Sequence, residues 1–151
     1  LDRLATEGFV GRNVIDVGCG TAVLAMGAAK IWPGTMLASD IDAVAVDVAQ
    51  AIVAANDLLG RVSCLEAVGF DHPTIAARAP FDLVFANILK GPLIELAPDM
   101  ARHTGPGALA ILSGLLTTQA EAVLAAYVAQ GFALQTRDDI GEWSTLVLRR
   151  H

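Results

Sequence analysis

The sequence predicts an α/β fold: a doubly wound, mostly parallel seven-stranded sheet that ends in an antiparallel C-terminal hairpin. Three observations carry this. Strand-length apolar runs alternate with helix-length or looped crossovers through residue 131, the order that builds one parallel sheet with helices on both faces. The runs are apolar almost throughout, as strands covered on both faces must be. The last two strand-like runs have no helix between them, so they pair antiparallel. At 151 residues the chain makes one domain, residues 1–151, and is short for two.

RNVIDVG (12–18), β-branched at Val14, Ile15 and Val17, predicts the first strand. TAVLAMGAAKIW (21–32) has the length and alanine content of a helix, which Pro33-Gly34 stops. TMLASDI (35–41) is the second strand, and DAVAVDVAQAIVAAND (42–57) a second helix with Asp42 as its N-cap. RVSCLEA (61–67) is the third strand; VGFDHPTIAARAP (68–80) reads as loop with one helical turn. FDLVFAN (81–87) is the fourth strand. GPLIELAPDMARH (91–103) predicts a helix with Pro92 in its first turn, where a missing N–H costs nothing, and a kink or reset at Pro98. GALAILSGLL (107–116) is the fifth strand. Thr118 and Glu121 have the spacing of a capping box, opening a helix that Gly131 ends. FALQTRDD (132–139) and EWSTLVLRR (142–150) form the hairpin. The opening LDRLATEGF reads as the last turns of a helix cut from something longer, so a fragment is expected.

The chain is 54% hydrophobic and 17% charged, with mean hydropathy +0.55, so a large fraction must be buried. No run reaches the roughly 18 to 20 apolar residues that span a bilayer, and no signal-peptide pattern opens the chain. Net charge is −6, and Arg149-Arg150 is the only adjacent basic pair. Direct nucleic-acid binding and membrane association are therefore not expected, and a basic partner suits the charge. Cys19 and Cys64 have neither metal-site spacing nor a disulfide framework; they read as small buried thiols in a reducing, cytoplasmic setting. His72, His103 and His151 have no evident partner, and no metal site is expected.

In such a sheet, ligands sit beyond the carboxyl ends of the strands. The first strand runs into VIDVGCGTAVL, where Gly18 and Gly20 let the backbone turn tightly and approach a ligand, and Thr21 is available to cap the next helix. A dinucleotide loop needs a third glycine at position 23, and Val23 stands there. Asp16, just before the loop, repels a diphosphate and attracts a cation. Asp40 ends the second strand about 20 residues past Gly20, where a carboxylate accepts from ribose hydroxyls. Taken singly, Asp16 closes a turn and Asp40 or Asp42 caps a helix. Taken together, Asp16, Gly18, Gly20 and Asp40 describe a pocket for a cationic, phosphate-free nucleoside such as S-adenosylmethionine.

VIDVGCGTA, Asp40 in ASDID and the terminal hairpin resemble the class I S-adenosylmethionine-dependent methyltransferases, a Rossmann-like fold with seven strands, the last inserted antiparallel. More narrowly, FDLVFANILKGPLIELAPDM, SDIDAVAV and AILSGLL resemble the catalytic domain of the methyltransferase of ribosomal large-subunit protein L-eleven. That family ends its fourth strand in Asn-Ile-Leu, here Asn87-Ile88-Leu89. It also carries a recognition domain, a linker and a threonine-rich segment ahead of the first strand, none of which this chain contains. The resemblance implies S-adenosylmethionine as cofactor and S-adenosylhomocysteine as product. It implies cofactor contacts from Asp16, Gly18, Cys19, Gly20, Thr21, Asp40, Ile41, Ala67 and Asn87, and a ribosomal protein as methyl acceptor.

Asn87 is the candidate catalytic residue. The fourth strand lies next to the first in a doubly wound sheet, so Asn87 is expected near the reactive sulfonium. There its carboxamide oxygen accepts a hydrogen from the acceptor amine and aims the lone pair. The alternative is that Asn87 only caps the following helix. Lys90 reads as a solvated lysine. Transfer to a small molecule or another protein stays open, since a fold does not fix its acceptor. A nicotinamide oxidoreductase or other nucleotide-binding module is the weaker reading, opposed by Val23 and Asp16.

Overall fold

The computed structural model describes residues 1–151. In chain order the elements are α1 (Asp2–Thr6), β1 (Asn13–Val17), α2 (Val23–Ile31), β2 (Thr35–Asp40), α3 (Ala43–Ala55), β3 (Val62–Glu66) and α4 (Pro73–Arg78). Then follow β4 (Phe81–Asn87), α5 (Lys90–Glu95), α6 (Ala97–Arg102), β5 (Thr104–Leu116), α7 (Ala120–Val128), β6 (Phe132–Ile140) and β7 (Trp143–Arg150). Seven strands form one sheet in the order β3-β2-β1-β4-β5-β7-β6. All neighbouring pairs from β3 to β5 are parallel; β7 is inserted antiparallel between β5 and β6. The strand order reverses at β1, between β2 and β4, which opens a crevice at their carboxyl ends.

Strand alternation splits the core in two. Ile15, Val17, Leu37, Val84 and Ala86 face one layer, closed by α5, α6 and α7; Val14, Met36, Ala38, Leu83 and Phe85 face the other, closed by α2 and α3. Leu4 of α1 joins the second layer, and the Trp32 indole N–H donates to the Phe9 carbonyl at 2.9 Å. In the first layer the buried Tyr127 hydroxyl donates to the Leu93 carbonyl at 2.9 Å, tying α7 to α5.

Asp42 caps α3 as expected, accepting from the Val44 N–H at 2.9 Å. Local pattern misplaces other boundaries. Residues 68–80 contain a six-residue helix, α4, which His72 caps by accepting from the Thr74 N–H through Nδ1 at 3.1 Å. The 91–103 helix begins earlier, at Lys90, and is two helices, because Pro98 occupies the first turn of a new one. The chain enters α2 through Ala22 in the left-handed region (φ 61°), one residue past Thr21, so Thr21 caps nothing. The Thr118–Glu121 box does not form. Gln119 Oε1 accepts from the Leu116 N–H at 3.0 Å, a 3-10 turn at Thr117–Gln119 leads into α7, and Glu121 pairs with Arg137 of β6 at 3.0 Å. The fifth strand starts at Thr104, ahead of the expected 107, because Thr104 pairs with Phe81.

Candidate functional site

A cavity of about 550 Å³ opens at the carboxyl ends of β1 to β4. One wall is Val17, Gly18, Asp40 and Ile41; Ala67, Val68 and Gly69 follow β3; Ile88, Leu89, Pro92, Glu95, Leu96 and Asp99 close the far side. The loop between β1 and α2 is drawn tight by main-chain bonds. Cys19 N–H donates to the Ser39 carbonyl at 2.9 Å, and Gly20 N–H donates to Asp40 Oδ2 at 3.0 Å. The other Asp40 oxygen accepts from the Asp42 N–H at 3.0 Å. Each carboxylate oxygen thus takes one backbone hydrogen and keeps capacity for another, in a residue that lines the cavity. Gly18 (φ 69°) passes under Ile88: a Cβ there would stand 2.3 Å from Ile88 Cγ2.

Asp16 is 1% exposed, and neither of its carboxylate oxygens has a hydrogen-bond partner. Register puts it beside Ala38 and Phe85, next to the start of α2. Burial pushes its pKa up to about 7, the Asp40 charge adds to the rise, and the Ala25 amide dipole offsets part of it without reaching hydrogen-bond geometry. The same surroundings govern the thiols. Burial and then the Asp16 charge push Cys19 up to about 12, and raise Cys64 as well. Cys64 is buried and Cys19 half-buried, with no disulfide. Both are therefore expected to react slowly with a thiol reagent in the folded protein at pH 8; fast labelling of either would show a thiolate that this site does not favour.

Asn87 ends β4 exposed, opposite Ser113 of β5. It does not cap α5; that position belongs to Leu89, with no side-chain bond. Of the expected cofactor contacts, Gly18, Asp40, Ile41 and Ala67 lie on the cavity wall. Asp16, Cys19 and Asn87 adjoin wall residues in sequence without lining the cavity themselves; Gly20 is tied to the wall only through its bond to Asp40, and Thr21 is exposed outside it. Sequence reasoning missed the far wall from Ile88 to Asp99. The signal was available: a helix that starts directly after a strand adjacent to β1 must pass over the crevice. His103 stacks on Phe70 with ring centroids 4.6 Å apart. No group of three or more His, Cys, Asp or Glu side chains is placed to hold a metal, and no helix is long and apolar enough to cross a membrane.

The profile of the family described as Ribosomal protein L11 methyltransferase (PrmA) matches residues 1–151. The chain belongs to the ribosomal protein L11 methyltransferase family. Within that family, the ribosomal protein L11 methyltransferase of Chelativorans sp. (strain BNC1) is 50% identical over 139 residues, 92% of this chain and 48% of that protein. The one from Bradyrhizobium diazoefficiens is 51% identical over 138 residues, 91% of this chain and 47% of that protein. The chain thus spans about half the length of the curated L11 methyltransferases it matches. A crystal structure of ribosomal protein L11 methylase from Lactobacillus delbrueckii subsp. bulgaricus superposes with a TM-score of 0.85 at 26% identity, covering 99% of this chain and 79% of that one. The sheet is accordingly the class I methyltransferase sheet that the sequence pattern implied.

Proposed function

We propose that residues 1–151 are the catalytic domain of an S-adenosylmethionine-dependent protein N-methyltransferase whose acceptor is an amine of ribosomal protein L11. The observation that carries this is the meeting of Asp40, the Gly18–Gly20 loop and the Asn87 segment around one cavity, in a chain of this family. The residues fit that cofactor. The volume suits a nucleoside-sized ligand. Asp40 offers free lone pairs to ribose hydroxyls, Ile41 and Ala67 give an apolar surface for a base, and the buried, unpartnered Asp16 favours a positive centre. When bound, S-adenosylmethionine supplies a sulfonium-activated methyl group open to in-line displacement and is left as S-adenosylhomocysteine.

The chain's own task is orientation. An uncharged amine must be held about 3 Å from the methyl carbon, in line with the breaking bond. Asn87 accepts a hydrogen from that amine through its carboxamide oxygen and aims the lone pair. Gly18 and Gly20 let the main chain come close without side chains in the way. The net charge of −6 suits a basic acceptor, and a ribosomal acceptor places the reaction in the cytoplasm.

Calorimetry with S-adenosylhomocysteine and with NAD tests the cofactor assignment. Binding of the first and not the second is expected. Asp40→Ala should weaken it by about 10- to 150-fold, since charge-assisted hydrogen bonds contribute about 1.5–3 kcal/mol. Unchanged affinity in that variant would remove Asp40 from the ribose, and binding of NAD alone would replace methyl transfer with nicotinamide chemistry. Methylation of a small molecule in preference to L11 would move the acceptor assignment.

A further inference from the structure

The Asn87-Ile88 step lies in a slot that has no side chain on either wall. Gly18 forms one wall, under the Ile88 side chain. Gly114 of β5 forms the other. A Cβ at position 114 would stand 2.7 Å from Asn87 Oδ1, 3.1 Å from the Ile88 carbonyl oxygen and 3.5 Å from Ile88 N. Gly114 also has φ +79°, a conformation that side chains strain. It sits where β5 shifts register against β7, between Leu112 and Leu115, one residue past the Ser113 that faces Asn87. Bulges of this kind re-aim side chains beside sites. Asn87 is exposed and caps no helix, and its carboxamide oxygen occupies space that a side chain at 114 would fill.

We infer that Gly114 is a positioning residue for methyl transfer: its bulged, side-chain-free backbone seats the Asn87 carboxamide in the direction the acceptor amine requires. The inference rests on the reading of Asn87 as the group that orients that amine. A methyl group at 114 cannot coexist with Asn87 where it now stands. The carboxamide has to retreat by roughly 1 Å to reach ordinary van der Waals separation. A displacement of that size at a reacting centre costs about 10²-fold in rate.

The test compares Gly114→Ala, Asn87→Ala and the double variant in the intact enzyme. Single-turnover methylation of L11 and equilibrium binding of S-adenosylhomocysteine are read for each. Gly114→Ala is expected to lower the rate by about 10²-fold with cofactor affinity unchanged, and the double variant to be no slower than Asn87→Ala. A wild-type rate in Gly114→Ala overturns the inference alone, provided Asn87→Ala is slow. Rate losses that multiply in the double variant also overturn it, because Gly114 then does not act through Asn87. A wild-type rate in Asn87→Ala overturns the underlying reading and this inference with it. A measurement on the unsubstituted enzyme covers the case in which Gly114→Ala does not fold. A nuclear Overhauser contact between the Asn87 side-chain amide protons and the Gly114 α protons is expected, and its absence overturns the inference.

Discussion

Replacing Asn87 with alanine is expected to lower methylation of L11 by about 10²-fold while leaving S-adenosylhomocysteine affinity within a few-fold of wild type. The asymmetry follows from where Asn87 stands. It lies outside the walls of the cavity, immediately before the wall residues Ile88 and Leu89, so truncating it is expected to remove little contact with a nucleoside bound there. What it removes, in the proposed role, is a hydrogen-bond acceptor for the substrate amine. An amine free to rotate spends most of its time with its lone pair misdirected, and that loss falls on the chemical step rather than on binding. Because Asn87 does not cap α5, the variant should lose little stability, and a slow rate will not reduce to unfolding. Aspartate at 87 keeps an acceptor but attracts the protonated amine, which has no lone pair to give. A single-turnover assay with acceptor in excess separates the step from substrate capture. A wild-type rate for Asn87→Ala would leave the residue without a catalytic role.

Asp16→Asn is expected to stabilise the free protein as pH rises, and to weaken cofactor binding at the same time. Folding raises the Asp16 pKa from 3.8 to about 7. Between those values the folded chain holds a proton that the unfolded chain has released. Stability therefore falls as pH rises through this window, and the loss is complete above pH 7. Its size is on the order of 4 kcal/mol at 1.36 kcal/mol per pKa unit. Asparagine carries no proton to lose, so variant and wild type should be close near pH 4 and diverge toward that figure by pH 8. Urea unfolding of both across pH 4–8 reads the difference directly; a constant gap would mean that Asp16 ionises in the fold as it does in water. The second half of the expectation concerns why an unpartnered carboxylate is kept under a ligand loop. If its charge serves a positive centre on the cofactor from behind the wall, Asp16→Asn should bind S-adenosylmethionine about tenfold more weakly at pH 8, as loss of a nearby opposite charge in a low-dielectric setting implies. A protein that tolerates such a residue gives up stability for function.

The central strands were legible because they are buried on both faces and therefore apolar almost along their whole length, as Val84, Phe85 and Ala86 are; the C-terminal β6 and β7 were legible because no helix-length segment separates them. The helix boundaries were less so, because local patterns admit more than one register. Pro98 satisfies both a kinked helix and the first turn of a new one. Thr118 and Glu121 have the right spacing for a box, yet Arg137 of β6, a distant partner in sequence, takes the glutamate. The near side of the site was readable for a related reason. Asp16, Gly18 and Asp40 belong to one strand-loop-helix-strand unit, so their convergence follows from spacing alone. Pro92, Glu95 and Asp99 reach the cavity only because β4 pairs with β1, and Gly114 meets Asn87 only through the register of β4 on β5. Such neighbours depend on strand order, which a sequence expresses weakly.

The insertion of β7 between β5 and β6 sets the order in which the sheet can be completed during synthesis. β5 emerges before β7, and its free edge waits for residues 143–150, the last strand of this domain. Until they arrive, β6 has no neighbour in the sheet at all, since its only pairing is with β7. A nascent chain paused there presents an unpaired apolar edge, the kind of surface that invites aggregation and holdase chaperones. Premature termination within this final stretch therefore does more than shorten an outer strand. It withholds the piece that joins two others, and leaves the edge of β5 that faces away from β4 unpaired.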